Sequence, residues 1–304
     1  MSAVDALFRC SDSFIPGSLS LCWTFWESHI LNGHPLKNDI LSWLKHGVHI
    51  NYFLAPVSKG TYNGVEINSH LPQPFKEQNH VKQEFKEWVS SKINSLVQIG
   101  VLKEWSLDSM GSPTPVVIAP LLVEPSKPRL IYDARYINCF MDLPSVQMFG
   151  IGKIPSSCWK GMYMISMDHK SGYYHVPIHP ECWKYFGVSW EDKVYCYVTL
   201  SFGWAPSASI YCTLTGACSS FARKITLAPV LDWIIDVFSG TSNLVKDATT
   251  EAQFQSANRT SFVLVMVLFY AGYSINIPKS NLFPVRVLQF LGTVVDSAQE
   301  MFIL

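Results

Sequence analysis

Apolar residues recur at intervals of three and four from Val81 to Ile99, at Val81, Phe85, Trp88, Val89, Ile93, Leu96 and Val97. That spacing puts them on one stripe of a helix, and Gly100 stops it. Two shorter helical stretches come earlier. Leu21 to Leu31 carries Trp23 and Trp26; Asn38 to His46 carries Ile40, Leu41, Trp43 and Leu44, with Gly47 as its C-cap. Ser58 to Pro74 holds Gly60, Gly64, Pro72 and Pro74 and reads as a loop. Beyond residue 110 the pattern changes to short strand-like runs: Thr114 to Val123, Arg129 to Asp133, Met162 to Met167, Val194 to Leu200 and Val287 to Val295. Ser207 to Lys224 is long enough for a helix, and Phe262 to Tyr273 suits a buried one. Val230 to Phe238, interrupted by Asp232 and Asp236, suits a hairpin. No repeat and no low-complexity segment breaks the pattern. Strands, hairpins and helices alternating irregularly predict an α+β fold with an antiparallel sheet.

Composition adds limits. A chain of 304 residues, 48% hydrophobic, is long enough for a sizeable core and two subdomains. The zero net charge argues against a uniformly basic nucleic-acid binder but leaves room for a locally basic groove. Eight cysteines are scattered with no CxxC pair, which reads as reduced thiols in an intracellular protein, cytoplasmic or nuclear. Met1 to Cys10 carries Asp5 and Arg9 in place of a signal-peptide core. The Phe262 to Tyr273 run falls short of the ~20 residues a membrane helix needs, so no membrane partner is expected. Oligomeric state is left open.

The chemistry concentrates in Ile165-Ser-Met-Asp168-His-Lys-Ser-Gly172-Tyr173-Tyr174-His175-Val-Pro-Ile-His179. An apolar strand ends in a carboxylate, where a cation can reach it, and Tyr173 follows five residues on. An Asp that merely caps a turn is the plain alternative. His175 and His179 are four apart, a helical metal-ligand spacing. Val176-Pro177-Ile178 between them argues for extended chain, and no further zinc ligands are evident.

Four blocks in order resemble the reverse transcriptase family, with the closest look to enzymes of LTR and DIRS-like retrotransposons. Lys127-Pro-Arg129-Leu-Ile-Tyr-Asp133-Ala-Arg135-Tyr-Ile-Asn138 is similar to the fingers strand, and Met164 to His179 to the first palm motif. Leu200-Ser-Phe202-Gly203-Trp-Ala-Pro206-Ser-Ala208 is similar to the second. Asn276-Ile-Pro-Lys279-Ser and Gln289-Phe-Leu-Gly292 resemble the last palm motifs. The resemblance implies an RNA-directed DNA polymerase with the right-hand fingers and palm, and an antiparallel palm sheet packed on helices. It implies Mg²⁺ or Mn²⁺ as cofactor, and primed RNA or DNA template and dNTPs as partners. Residue by residue, it implies Asp168 as first metal ligand with the carbonyl of His169 beside it. Arg129 and Lys127 would meet the triphosphate, Tyr173 the sugar, and Phe202 and Gly203 the nascent base pair. Lys279 would protonate the leaving pyrophosphate. Asp133 and Arg135 are expected to pair locally. Ser201 stands where many relatives have proline.

One position departs sharply. The family's aromatic-x-Asp-Asp hairpin tip reads Trp233-Ile234-Ile235-Asp236 here. Ile235 stands where the first aspartate belongs, and Asp236 takes the second place. Ile235 cannot ligate a cation, so reduced catalysis is expected, with a catalytically inactive nucleic-acid or protein binder as the alternative. Asp236 reaching the site through a bulge is one rescue. Asp232, four back from Asp236, is read as sharing its face but lying too far from the tip. The expected layout is an N-terminal extension over 1–75, fingers and start of palm over 76–160, and palm over 161–304 with a fingers insertion about 178–198. The thumb is expected to be missing, and with it a firm grip on primer–template.

Overall fold

The computed structural model describes residues 14–55, 60–126, 128–142 and 151–303. Among the described residues four helices exceed two turns: α1 (Lys37–His46), α2 (Lys86–Gln98), α3 (Pro206–Thr226) and α4 (Thr250–Ala271). Helix α1 buries Ile40, Leu41, Trp43 and Leu44 and ends at Gly47, where φ is +86°. Helix α2 buries Val89, Ile93 and Leu96, each worth roughly 1.5–3 kcal/mol of transfer free energy. It begins later than its periodicity predicts, after a 3-10 turn at Gln83–Phe85. Leu21 to Leu31 is helical but mixed, passing from 3-10 through α to π geometry. Helix α4 extends a full polar half N-terminal to the apolar run that marks it in sequence, capped by the Thr249 hydroxyl accepting from the Ala252 N–H at 3.3 Å. Among the described residues no helix is long and apolar enough to cross a membrane.

The strands are β1 (Thr61–Tyr62), β2 (Val65–Glu66), β3 (Phe75–Lys76), β4 (Leu102–Glu104), β5 (Val117–Ile118), β6 (Leu121–Glu124), β7 (Arg129–Tyr132) and β8 (Met164–Asp168). They continue with β9 (Gly187–Trp190), β10 (Lys193–Tyr197), β11 (Val230–Trp233), β12 (Asp236–Gly240), β13 (Asn281–Val285), β14 (Val287–Phe290), β15 (Thr293–Asp296) and β16 (Met301–Ile303). A mixed sheet of order β3-β5-β9-β10-β4 joins strands that lie between residues 75 and 197. The hairpin β6–β7 stands apart from it. A fully antiparallel sheet of order β11-β12-β8-β13 lies under α3 and α4. The α+β architecture and the antiparallel palm sheet are therefore as the sequence implies.

Three local readings change. The expected loop at 58–74 contains the hairpin β1–β2, turned by Asn63-Gly64 with both φ positive. Asn-Gly is the preferred pair for such a turn. The expected strand at 114–123 splits at Pro120 into β5 and β6, because proline cannot donate to a ladder. The expected strand at 287–295 is a hairpin, β14–β15, turned by Leu291-Gly292 at φ +49° and +80°.

Directly opposite residues of an antiparallel pair share a face, which divides the palm sheet cleanly. One face carries Ile165, Met167, Val230 and Val237, all in the main core beneath the helices. The other carries Met164 and Phe238, which join Leu288, Phe290 and Val295 of the C-terminal sheet in a second core. Further along that second face stand Asp168, Asp236 and Trp233. Gly240 lets β12 close onto β8, since a Cβ there would overlap the Tyr163 carbonyl oxygen and approach Met162 Cε to 2.6 Å. Gly240→Ala should lower unfolding free energy by about 2–4 kcal/mol, by overpacking against backbone that cannot yield. Urea denaturation measures this, and an unshifted midpoint would show that the contact is soft.

Candidate active site

Two carboxylates meet at one end of the palm sheet. Asp168 is the last residue of β8 and Asp236 the first of β12, and the two are register partners. The His169 N–H donates to the Ile235 carbonyl at 2.9 Å. That bond identifies Asp168 and Asp236 as a non-hydrogen-bonded pair, the closer kind, with Cα atoms about 4.5 Å apart. Both side chains leave the same face and both are half-buried. Burial pushes the Asp236 carboxyl up to about 6, the Asp168 charge adds to the rise, and Lys279 offsets it. Burial also raises Asp168, against a hydrogen bond from Asn276 and the Lys279 charge. Two hard oxygen donors held together against their mutual repulsion suit a small divalent cation, which would relieve both costs.

The hairpin tip is regular. Trp233 pairs with Asp236 across a two-residue turn, with Ile234 at φ +52°, so no bulge shifts Asp236 along the strand. Ile235 sits in the turn and packs over the loop that follows Asp168: a Cβ on Gly172 would come within 2.7 Å of its Cγ2. Asp232 does not share the face of Asp236. It pairs with Val237 on the helix-covered side, beside Gly216, Ser219 and Cys218. The turn intervenes between residues 232 and 236, so counting along one strand gives the wrong face.

Around the pair, the Asp168 N–H donates to Ser280 Oγ at 3.0 Å, and the Asn276 N–H donates to the Asp168 carbonyl at 2.8 Å. The segment Asn276 to Ser280 thus fixes the strand end and brings Lys279 close to both carboxylates. Asn276 and Ser280 are the site residues that sequence reasoning leaves unassigned, although both lie in a motif it singles out. His169 turns its ring into the core, where Nδ1 meets the Tyr211 hydroxyl at 2.8 Å. Burial lowers the ring to about 3, so it is neutral. Its ring therefore stays away from the strand end, and its carbonyl takes no part in the bridge to Ile275, whose bonds run through Lys170 and Asn276. His175 is also internal. Its Nδ1–H donates to the Gly172 carbonyl at 2.7 Å, and its Nε2 accepts from the Ser274 N–H at 2.9 Å.

Tyr173 is buried against Phe202 and Tyr211, at ring separations of 4.7 and 5.4 Å. Phe202 itself is 47% exposed and forms an accessible aromatic lip. Gly203, at φ +108°, has to be glycine, because a Cβ would overlap the Tyr132 carbonyl oxygen of β7. Asn138 locks the same loop: its Nδ2 donates to Gly203 O and its Oδ1 accepts from the Ala205 N–H, both at 2.9 Å. Arg129 is exposed on the hairpin β6–β7, opposite Glu124, and no described contact joins it to the carboxylates. Asp133 and Arg135 pair with one another at 2.6 Å. Lys127 lies outside the described residues.

The raised Asp236 predicts a pH dependence. A folded-state pKa above the ordinary 3.8 makes its contribution to stability complete below about pH 4 and lost as pH rises through about 6. In chelator, Asp236→Asn should therefore stabilise the protein at pH 7.5 by about 1–2 kcal/mol, after allowing for solvent screening, and have little effect near pH 4. Thermal melts at the two pH values check this; a variant less stable at pH 7.5 would contradict the crowding of the pair.

The sequence matches no family model. It is 27% identical over 231 residues to the Pro-Pol polyprotein of feline foamy virus, covering 73% of this chain and 17% of the polyprotein. It is 24% identical over 230 residues to that of simian foamy virus type 1, covering 76% of this chain and 18% of the polyprotein. The chain thus spans less than a fifth of those relatives. Among solved structures, it superposes on a foamy viral protease-reverse transcriptase in complex with an RNA/DNA hybrid at a TM-score of 0.59, with 20% identity, 79% of this chain and 28% of that one. A foamy viral protease-reverse transcriptase dRH in complex with double-stranded DNA gives 0.57 at 17% identity, covering 93% of this chain and 47% of that one. In fold the chain is a reverse transcriptase fingers and palm, and in sequence it is similar to the Pro-Pol polyproteins of foamy viruses.

Proposed function

We propose that the chain carries an RNA-directed DNA polymerase site, built on Asp168 and Asp236 and weakened by Ile235. The observation that carries this is the register pairing of the two carboxylates on the open face of the palm sheet. Mg²⁺ or Mn²⁺ fits the donor set of Asp168 and Asp236. When bound it would neutralise phosphate charge and ease deprotonation of a primer hydroxyl. The chain's own groups do the rest. Lys279, near both carboxylates, is the candidate proton donor to the leaving pyrophosphate. Arg129, with Lys127, offers a planar fork and a point charge for the triphosphate. It reaches the site only if the β6–β7 hairpin closes over the palm. Tyr173 forms the floor under the sugar, and Phe202 and the glycine-permitted backbone at 203 meet the nascent base pair.

The partners of this reading are dNTPs and a primed template. Relatives of the same fold bound to an RNA/DNA hybrid and to double-stranded DNA support that choice. In this reading the sheet β3-β5-β9-β10-β4 belongs to the fingers, with 178–198 inserted from the palm. A second reading, an inactive protein that keeps the fold to bind nucleic acid, is favoured by one contact: Ile235 fills the tip position and packs over Gly172.

Primer extension separates the two. The native chain should extend a primer slowly in Mg²⁺ or Mn²⁺, and Asp168→Ala should lower the rate by a further ~100-fold, about 2.7 kcal/mol of barrier. Ile235→Asp should raise it by ~10-fold or more. Extension equal in the native chain and Asp168→Ala, with a silent Ile235→Asp variant, favours the inactive reading.

A further inference from the structure

Outside the carboxylate pair, three ligand-type side chains converge. His49, His179 and Cys182 each present a donor atom within 4.8 Å of the others, the one such cluster among the described residues. The two histidine rings lie 5.1 Å apart. Glu181 adds a fourth donor, its Oε2 3.7 Å from His49 Nε2. We propose that His49, His179 and Cys182 bind a zinc-class ion, with Glu181 or water completing a tetrahedral shell.

The donor set selects the class. Two imidazoles and a thiolate suit zinc, while Mg²⁺ prefers an all-oxygen shell. Zinc–nitrogen and zinc–sulfur bonds of about 2.0–2.3 Å put tetrahedral donors about 3.3–3.8 Å apart. The present separations therefore need only a small closure.

The scaffold is built to hold the ligands. The Val48 N–H donates to Pro177 O at 2.9 Å, and the His179 N–H donates to Val48 O at 3.0 Å. The Ile50 N–H points at Cys182 Sγ, at 3.5 Å. Gly47 permits this approach, since a Cβ there would lie 2.6 Å from the His179 nitrogen. His179 and Cys182 are three apart across one 3-10 turn, which puts both on one side.

Binding has a proton balance. Cys182 loses its thiol proton to solvent and becomes the thiolate ligand. Each histidine gives up a weak cap, because Nδ1 of His49 accepts from the Asn51 N–H at 3.1 Å and that of His179 from the Glu181 N–H at 3.3 Å. Whichever ring nitrogen binds the ion, those caps are released. Lys184 is the opposing charge nearby, and Glu181 offsets it. The ion would tie the segment after α1 to the turn leading into β9, joining the N-terminal region to the mixed sheet.

Cobalt(II) is the probe, standing in for zinc with a visible signature. Chelator-treated full chain is titrated with Co²⁺ and the absorption spectrum followed. One equivalent should produce a thiolate-to-cobalt charge-transfer band that Zn²⁺ then displaces. The band should vanish in Cys182→Ser, and His49→Gln and His179→Gln should each weaken binding at least tenfold with circular dichroism unchanged. Asp236→Asn should leave the band intact. No band from the native chain, an undiminished band in Cys182→Ser, or loss of the band in Asp236→Asn would each overturn the proposal.

Discussion

The register between β8 and β12 is the constraint on which the rest of the site depends. Side chains alternate strictly along a strand, so sliding β12 by one residue would send Asp236 into the helical core and lift Val237 onto the open face. What holds the register is packing on both sides. Met167, Val237 and Ile165 lie in the main core, and Met164 and Phe238 in the second. Gly240 lets the strands meet at the far end. Two like charges are thereby forced together at the near end, and the hydrophobic faces stabilise what the carboxylates alone would oppose.

Ile235 takes its meaning from the same geometry. The two-residue turn is too tight to offer the tip position to either neighbour, so Asp236 stays on the strand and Ile235 stays in the turn. An apolar side chain there finds Gly172 to pack on, which reinforces the fold at the place where the sequence resemblance implies an aspartate. The turn stabilises itself by contact, while the donor set shrinks to Asp168 and Asp236.

Much of this is legible in the chain. Local periodicity suffices for α1 and α2, whose apolar positions match their buried faces, while α3 is marked only by the length of its run. Asp168 is marked by the strand before it and the aromatic after it. Failures occur where a turn is hidden or a partner is distant. Leu291-Gly292 interrupts an apolar run with no polar signal, so a hairpin reads as one strand. The first half of α4 is polar and shows no stripe. Asp232 changes face because of a turn that periodicity along one strand ignores. His49 and Cys182 are 133 positions apart, and nothing local to either announces the other.

The chain therefore offers two donor sets of opposite character, hard oxygens at Asp168 and Asp236, and nitrogen with sulfur at His49, His179 and Cys182. Polymerase chemistry would rest on the first, through its capacity to hold a divalent cation. Titrating Mn²⁺ into the Cys182→Ser chain, with free ion read by its paramagnetic resonance signal, tests it directly. A bound ion that is lost in Asp168→Asn and in Asp236→Asn, and held less tightly as pH falls below about 6, where the free Asp236 carboxyl takes up a proton, is the expected result. Mn²⁺ uptake unchanged in both variants, or no uptake at pH 7.5, would contradict the account.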